Sequence, residues 1–285
     1  MIRLFATVFA GLLGLAFGSF LNVCLSRWPE GESVVAPRSH CRNCTHSLAW
    51  WENIPLFSWI ALRGRCRQCR TWIGWRYPLV EFSVGLLWAI RAWLLFTNLD
   101  DLLGPGLYWA LAYSVGTMAF YWLLIALATL DAENLWLPDW LTLPGVALGF
   151  VFSLSLAALN NPASLFKESL HLLGSICFAA GLILIIRGLY WLIRKREGLG
   201  LGYAKLMALL AAWLGLPQAL LSMGIGVLLG ALAALFLLAL PAARRESESW
   251  AQSKLPLGTF LCIGGIVSSL WGQPILNAYM RWAGF

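Results

Sequence analysis

Four cysteines in two short pairs, Cys41-Arg-Asn-Cys44 and Cys66-Arg-Gln-Cys69, are the residues whose type and spacing most directly imply chemistry. A CxxC turn lets two thiolates reach one metal ion, and two such turns complete a tetrahedral Zn²⁺ site. The 21 residues between Cys44 and Cys66 fall near the zinc-ribbon range. His40 and His46 flank the first pair and are expected beside the metal or in solvent.

A second set of polar residues interrupts apolar sequence. Leu130-Asp131-Ala-Glu133-Asn-Leu-Trp-Leu137-Pro138-Asp139 places Asp131 where one apolar stretch ends and Asp139 where the next begins. Ionised carboxylates at that depth are costly and tend to have a task; the alternative is a pair of solvated boundary residues facing basic loops. Gly198, Gly200 and Gly202, spaced i, i+2, i+4, lead into Tyr203 and Lys205. Such glycines permit sharp turns and close backbone approach. A dinucleotide phosphate loop needs a preceding strand, which this context lacks, so the competing reading is a flexible loop entering a short helix, with Lys205 reaching to the interface.

These residues have to be positioned by a largely apolar scaffold. The chain has 285 residues, 60% of them hydrophobic and only 12% charged, with a mean hydropathy of +0.74. Soluble domains carry roughly twice that charged fraction. Eight apolar runs are predicted to be helices that cross a membrane: 4–25, 79–97, 106–130, 141–159, 170–193, 203–216, 218–240 and 256–274. The fold class is therefore an all-α polytopic membrane protein with a small zinc-binding insert between the first and second helices. The expected organisation is 1–25 first helix, 26–78 insert and 79–285 helical bundle. No internal repeat is evident. The insert is too small for a conventional core and needs a metal staple. Pro55, Pro78, Pro138, Pro144 and Pro217 are read as turns or helix starts.

The net charge of +7 does not indicate nucleic acid, because its distribution follows membrane topology. Eight arginines lie between Arg27 and Arg76, with further basic clusters at Arg194–Arg196 and at Arg244, Arg245 and Lys254. The 98–105 loop has none and carries Asp100 and Asp101. The positive-inside pattern puts 26–78, 131–140, 194–202 and 242–255 in the cytoplasm and the N-terminus outside, on an uncleaved first helix. The basic face is matched by anionic lipid. In a reducing compartment the paired cysteines favour metal over disulfides, and Cys24, Cys177 and Cys262 are read as packing residues.

The chain resembles the type IV prepilin leader peptidases, bifunctional peptidase/N-methyltransferases of bacterial inner membranes. The resemblance runs through Gly18-Ser-Phe-Leu-Asn22, Ala36-Pro-Arg-Ser-His-Cys41, Glu52-Asn-Ile-Pro, Arg63-Gly-Arg-Cys66, Arg76-Tyr-Pro-Leu-Val-Glu81, Leu137-Pro-Asp-Trp-Leu-Thr142 and Lys205-Leu-Met. It implies catalytic aspartates at Asp131 and in a Gly-x-Gly-Asp-x-Lys segment. It also implies a prepilin or pseudopilin substrate with a basic cytoplasmic leader, cut after a glycine, and S-adenosylmethionine as donor for methylating the new amine. Asp139, Gly200, Gly202, Lys205 and Glu81 fall on supporting positions, and Cys41, Cys44, Cys66 and Cys69 on the family's zinc site. Glu81 and the 131–139 loop suit a basic leader, a solvated boundary Glu being the alternative. No motif marks a pocket for S-adenosylmethionine.

One departure matters. Where the family has its second aspartate, this chain has Tyr203. Aspartyl peptidases need two close carboxyl groups sharing a proton, one activating water and one polarising the scissile carbonyl. A phenol offers only a hydrogen bond, and its ring crowds the water site. Weak or absent peptidase activity is expected, leaving a methyltransferase or leader-binding protein as the alternative. A non-enzymatic transporter or assembly component would show paired polar residues at the midplane and a structural repeat, and neither is found.

Overall fold

Long apolar runs with polar residues confined to their ends satisfy their backbone in hydrocarbon within a single segment only as helices, a closed barrel requiring alternating strands instead. The computed structural model describes residues 1–96, 106–196, 199–239 and 255–284. Helices among them are α1 (Ile2–Arg27), α2 (Phe57–Ala61), α3 (Arg76–Leu95), α4 (Gly106–Asn134), α5 (Asp139–Asn160), α6 (Leu165–Arg194), α7 (Leu201–Leu214), α8 (Leu216–Ala239) and α9 (Leu257–Trp282). The acidic pair Asp100 and Asp101, Glu197 and Gly198, and the basic residues Arg244, Arg245 and Lys254 lie outside the described residues.

Seven of these helices, all except α2 and α7, are long and apolar enough to cross a membrane. The protein is a multi-pass membrane protein. The sixth expected span is present as α7, but its 14 residues reach only about 21 Å, short of the roughly 30 Å hydrocarbon core. Its apolarity serves protein packing: Leu206, Met207, Leu209, Leu210, Ala211 and Ala212 are fully buried. Pro144 is a further difference, lying inside α5 and not at its start.

The chain divides into two compact units, Met1–Ala126 and Leu127–Phe285. In the first, α1 and α3 pack closely because glycines face each other. A Cβ on Gly14 would sit 2.9 Å from the Gly85 Cα, and one on Gly18 would sit 2.7 Å from the Glu81 Cα. Gly14 and Gly18 form a small-xxx-small face, the usual device for close helix approach in lipid. One turn past Gly18, the Asn22 Nδ2 reaches the Tyr77 carbonyl at the start of α3, 2.9 Å away. Cys24 is buried in this unit.

The second unit is built around α7, with α5, α6, α8 and α9 against it. Trp213 of α7 lies in a notch on α5, where a Cβ on Gly149 would come within 2.4 Å of its ring. Its indole N–H donates to the Gly145 carbonyl at 2.9 Å. Gly264 of α9 meets the Ser222 carbonyl of α8, 2.3 Å from where a Cβ would lie. Cys262 is buried here, and Cys177 lies exposed on α6.

Backbone contacts of this kind cannot move aside. Gly18→Ala is expected to destabilise the N-terminal unit by roughly 1–3 kcal/mol and lower the detergent melting temperature. Gly174→Ala on α6, where nothing lies within 4 Å of the added carbon, should leave the melt unchanged or raise it slightly.

Candidate functional site

Each cysteine pair sits on a tight backbone knuckle, and the two knuckles have the same hydrogen bonds. Cys41 N–H donates to the His46 carbonyl, Thr45 N–H to that of Cys41 and Leu48 N–H to that of Ser39, at 2.9, 2.8 and 2.8 Å. Shifted by 25 residues, Cys66 N–H donates to Thr71, Arg70 N–H to Cys66 and Ile73 N–H to Gly64, at 2.9, 3.0 and 2.6 Å. Thr45 and Arg70 hold equivalent left-handed positions, at φ 56° and 60°. A local duplication is therefore present that the sequence reading did not detect, because Cys-Arg-x-Cys is all the two copies share in side chains.

The knuckles face each other and bring all four sulfurs within 4.8 Å. Cys41 and Cys69 Sγ are 3.7 Å apart, and Cys44 and Cys66 Sγ 3.9 Å. A tetrahedron with Zn–S bonds of about 2.3 Å has edges of about 3.8 Å, so the donor set fits a tetrahedral thiophilic metal. Thr71 beside Cys69, first through its hydroxyl and then its backbone, together with the Asn43 side chain, pulls that thiol down to about 5. At Cys44 the His46 backbone lowers the thiol, but burial and the neighbouring sulfurs outweigh it and push it up to about 12. Four protein ligands leave no open position, so an ion here would be a structural cross-link. Neither histidine joins the set: His40 Nδ1 is 3.0 Å from the Arg38 carbonyl, and His46 Nε2 is 3.6 Å from a Glu52 carboxylate oxygen.

Glu81 is not a solvated boundary residue. It is 7% exposed, and its Oε2 accepts the Leu56 N–H at 2.8 Å, with Ser19 and Asn22 of α1 against the same carboxylate. Leu56 adopts φ 60° to present that N–H.

In the second unit the last turn of α4 carries Asp131, only 1% exposed. Its Oδ2 accepts the Thr259 N–H at 2.9 Å, with the Thr259 hydroxyl at 3.4 Å. Thr259 Oγ1 also donates to the Ala128 carbonyl at 2.8 Å. The carboxylate thus lies against the first turn of α9, where free N–H groups and the helix dipole favour negative charge. Gly258 makes room, since a Cβ there would lie 2.8 Å from the carboxylate. Asp131 Oδ1 is buried with no hydrogen-bond partner.

Tyr203, on the first turn of α7, reaches the same place. Its hydroxyl contacts the Leu257 backbone, and the Asp131 charge acts on its phenol. Gly202 permits the approach of α7 to the Leu137 segment, with only 3.0 Å between its Cβ position and the Leu137 Cβ, while Gly200 is the N-cap of α7. Asp139 does not join this cluster through a carboxylate pair; it is bonded to Lys205 in a half-exposed ion pair. Gly258 and Thr259 were missed from sequence: they lie 127 and 128 residues beyond Asp131, and Pro256-Leu-Gly-Thr259 reads as an ordinary helix start.

Comparison with known proteins gives consistent matches. The Bacterial Peptidase A24 N-terminal domain matches residues 12–95, and the Type IV leader peptidase family matches residues 118–235. A prepilin leader peptidase/N-methyltransferase of Pseudomonas aeruginosa is 33% identical, covering 96% of this chain and 93% of the relative. Proteins of the same name from Aeromonas hydrophila and Burkholderia pseudomallei (strain 1026b) are 34% and 37% identical, covering 97% and 93% of this chain and 93% and 85% of their own. No solved structure is significantly similar.

Elemental analysis of the purified chain is expected to give one Zn²⁺ per molecule. Cys66→Ser should lose it and make the 40–73 segment sensitive to protease. Zinc-free wild-type protein that is folded and protease-resistant would remove the metal from this account.

Proposed function

Because the chain belongs to the type IV leader peptidase family, we propose that it is a membrane enzyme acting on the N-terminal leaders of type IV prepilins or pseudopilins, with its peptidase half impaired. The carrying observation is similarity over nearly the whole chain to prepilin leader peptidase/N-methyltransferases, with both motif positions, Asp131 and Tyr203, at the N-terminal end of α9. The proposed location is the bacterial inner membrane, with the basic loops cytoplasmic, in keeping with the positive-inside pattern. The four thiolates would hold a structural Zn²⁺.

In this reading Asp131 is one member of an aspartyl pair. Ionised, it takes a proton from water as the oxygen adds to the carbonyl carbon of the leader's terminal glycine. The C–N bond then breaks and the departing amine takes up a proton. The Thr259 N–H keeps the carboxylate oriented, and the buried Oδ1, without a protein donor, is the atom left for water. The carbonyl oxygen needs a proton donor opposite, and Tyr203 supplies a phenol where a carboxylic acid is required. Removing one acid–base partner typically lowers the rate by roughly 10²–10⁴.

A second reading is supported by the N-terminal unit, whose thiol cluster and buried carboxylates are intact: a protein retaining methyl transfer or leader binding without cleavage. S-adenosylmethionine would supply an electrophilic methyl group to the new N-terminal amine.

A cleavage assay on a prepilin substrate tests the peptidase assignment. Tyr203→Asp is expected to raise the rate by about 10²–10⁴ over the unaltered chain, and Asp131→Asn in that background should abolish the gain. Equal cleavage by the unaltered chain and Tyr203→Asp would overturn the paired-acid account.

A further inference from the structure

The N-terminal unit contains a cavity of about 760 Å³ between α1, the start of α3 and the insert, a size suited to a small-molecule ligand. Its wall includes Asn22, Glu52 and Glu81, which are 2%, 6% and 7% exposed. Burying two carboxylates is costly unless they are paired or fully hydrogen-bonded. Glu81 has one backbone N–H, from Leu56 at 2.8 Å, and Glu52 has one from Ala49 at 2.8 Å. Glu52 Oε1 and Asn22 Oδ1 are buried and find no donor within the protein. The cavity wall therefore has unfilled acceptor capacity, which calls for a donor-bearing or cationic occupant.

The basic side chains on the same wall are engaged elsewhere. Arg27 donates through its two terminal nitrogens to the Ser33 and Pro37 carbonyls, each at 2.6 Å. Arg42 pairs with Glu30 at 2.9 Å and bonds the Ser26 carbonyl. Arg67 lies over the Trp51 ring at 5.0 Å. Behind the wall, among the described residues, His46 approaches Glu52 at 3.6 Å, and it is a cation only when protonated. The cavity also has apolar indole surface from Trp59 and Trp72, which pack edge to face at 5.7 Å.

We propose that this cavity is the S-adenosylmethionine site, with Glu52, Glu81 and Asn22 facing the ligand's sulfonium and ammonium charges and the indoles beside its adenine. The assignment rests on the methyltransferase reading above and adds a location to it. S-adenosylmethionine joins two cationic centres, a carboxylate and a flat base in one molecule. The cavity wall offers buried carboxylates for the two cationic centres and indole surface for the base. In the transfer, the amine nitrogen lone pair forms a C–N bond to the methyl carbon as the S–CH₃ bond breaks. The sulfur keeps that electron pair, leaving neutral S-adenosylhomocysteine, and the amine proton passes to water. A site that holds the sulfonium by carboxylates loses that attraction once the methyl group has gone, which favours product release.

The test is equilibrium binding of S-adenosylmethionine and S-adenosylhomocysteine to the purified full chain, loaded with zinc in detergent. Wild-type protein is expected to bind the sulfonium form more tightly than the neutral product. Glu52→Gln/Glu81→Gln, which keeps both side-chain shapes and the acceptors for Ala49 and Leu56, should weaken S-adenosylmethionine by roughly 10- to 100-fold and erase the preference. Asn22→Ala should weaken both ligands, and Glu168→Gln, on exposed α6, should leave both unchanged. Zinc content and melting temperature report whether the variants remain folded. S-adenosylmethionine binding that survives in a folded double variant would overturn this site but not the methyltransferase reading. No binding by zinc-loaded wild-type protein would overturn that reading, and the site with it.

Discussion

A carboxylate carried by an apolar helix must be met by hydrogen-bond donors, and this constraint organises the polar interior of both units. Burial without donors leaves the ionised form unsupported. In the C-terminal unit the donor is the Thr259 N–H at the start of α9, a group left free by helix geometry. In the N-terminal unit Glu81 takes the Leu56 N–H, and Glu52 takes that of Ala49. These three donors are main-chain groups, joined by the Ser19 and Asn22 side chains at Glu81 and the Thr259 hydroxyl at Asp131, and none of them is a cation that neutralises the carboxylates. That leaves their charge available to something else, which is a reasonable arrangement for chemistry and a poor one for stability alone.

Glycine makes these arrangements possible at a few positions. Gly18 lets α1 approach the backbone at Glu81, and Gly258 leaves the space that the Asp131 carboxylate occupies. The insert follows a different logic. Its two knuckles share a hydrogen-bond pattern and left-handed residues, and even its Trp59, Trp72 and Trp75 cluster leaves Trp72 and Trp75 largely exposed. A four-thiolate cross-link is a compact way to hold such a small module together.

Much of this was legible in advance, and the reasons are physical. Hydropathy identifies long apolar helices because lipid-spanning backbone has so few options, and the four-cysteine cluster could be read because metal geometry constrains spacing. The role of α7 was less legible: Leu206–Ala212 is as apolar as a span, and only its neighbours show that it is covered by protein. Glu81 looked like a boundary residue because its partner, the Leu56 N–H, comes from a backbone turn with no signature of its own. Gly258 and Thr259 were invisible for a related reason. Main-chain donors are common to every residue, so a sequence cannot say which of them a distant Asp131 will meet.

The same main-chain dependence bears on Tyr203. Asp131 is held by α9, not by residue 203, so a phenol standing where the proposed second acid would be removes nothing that positions it. The phenol in turn finds a backbone contact at Leu257, and its helix remains buried among α5, α6, α8 and α9. The substitution is therefore compatible with an intact bundle. The motif glycines still have their packing uses: Gly202 against Leu137, and Gly200 as the cap of α7. Lys205 still pairs with Asp139. A local scaffold that holds Asp131 without help from residue 203 separates the requirements of folding from those of the proposed cleavage. The packing depends on the donors and glycines, whereas the proposed peptidase chemistry alone depends on which proton-bearing group stands opposite Asp131.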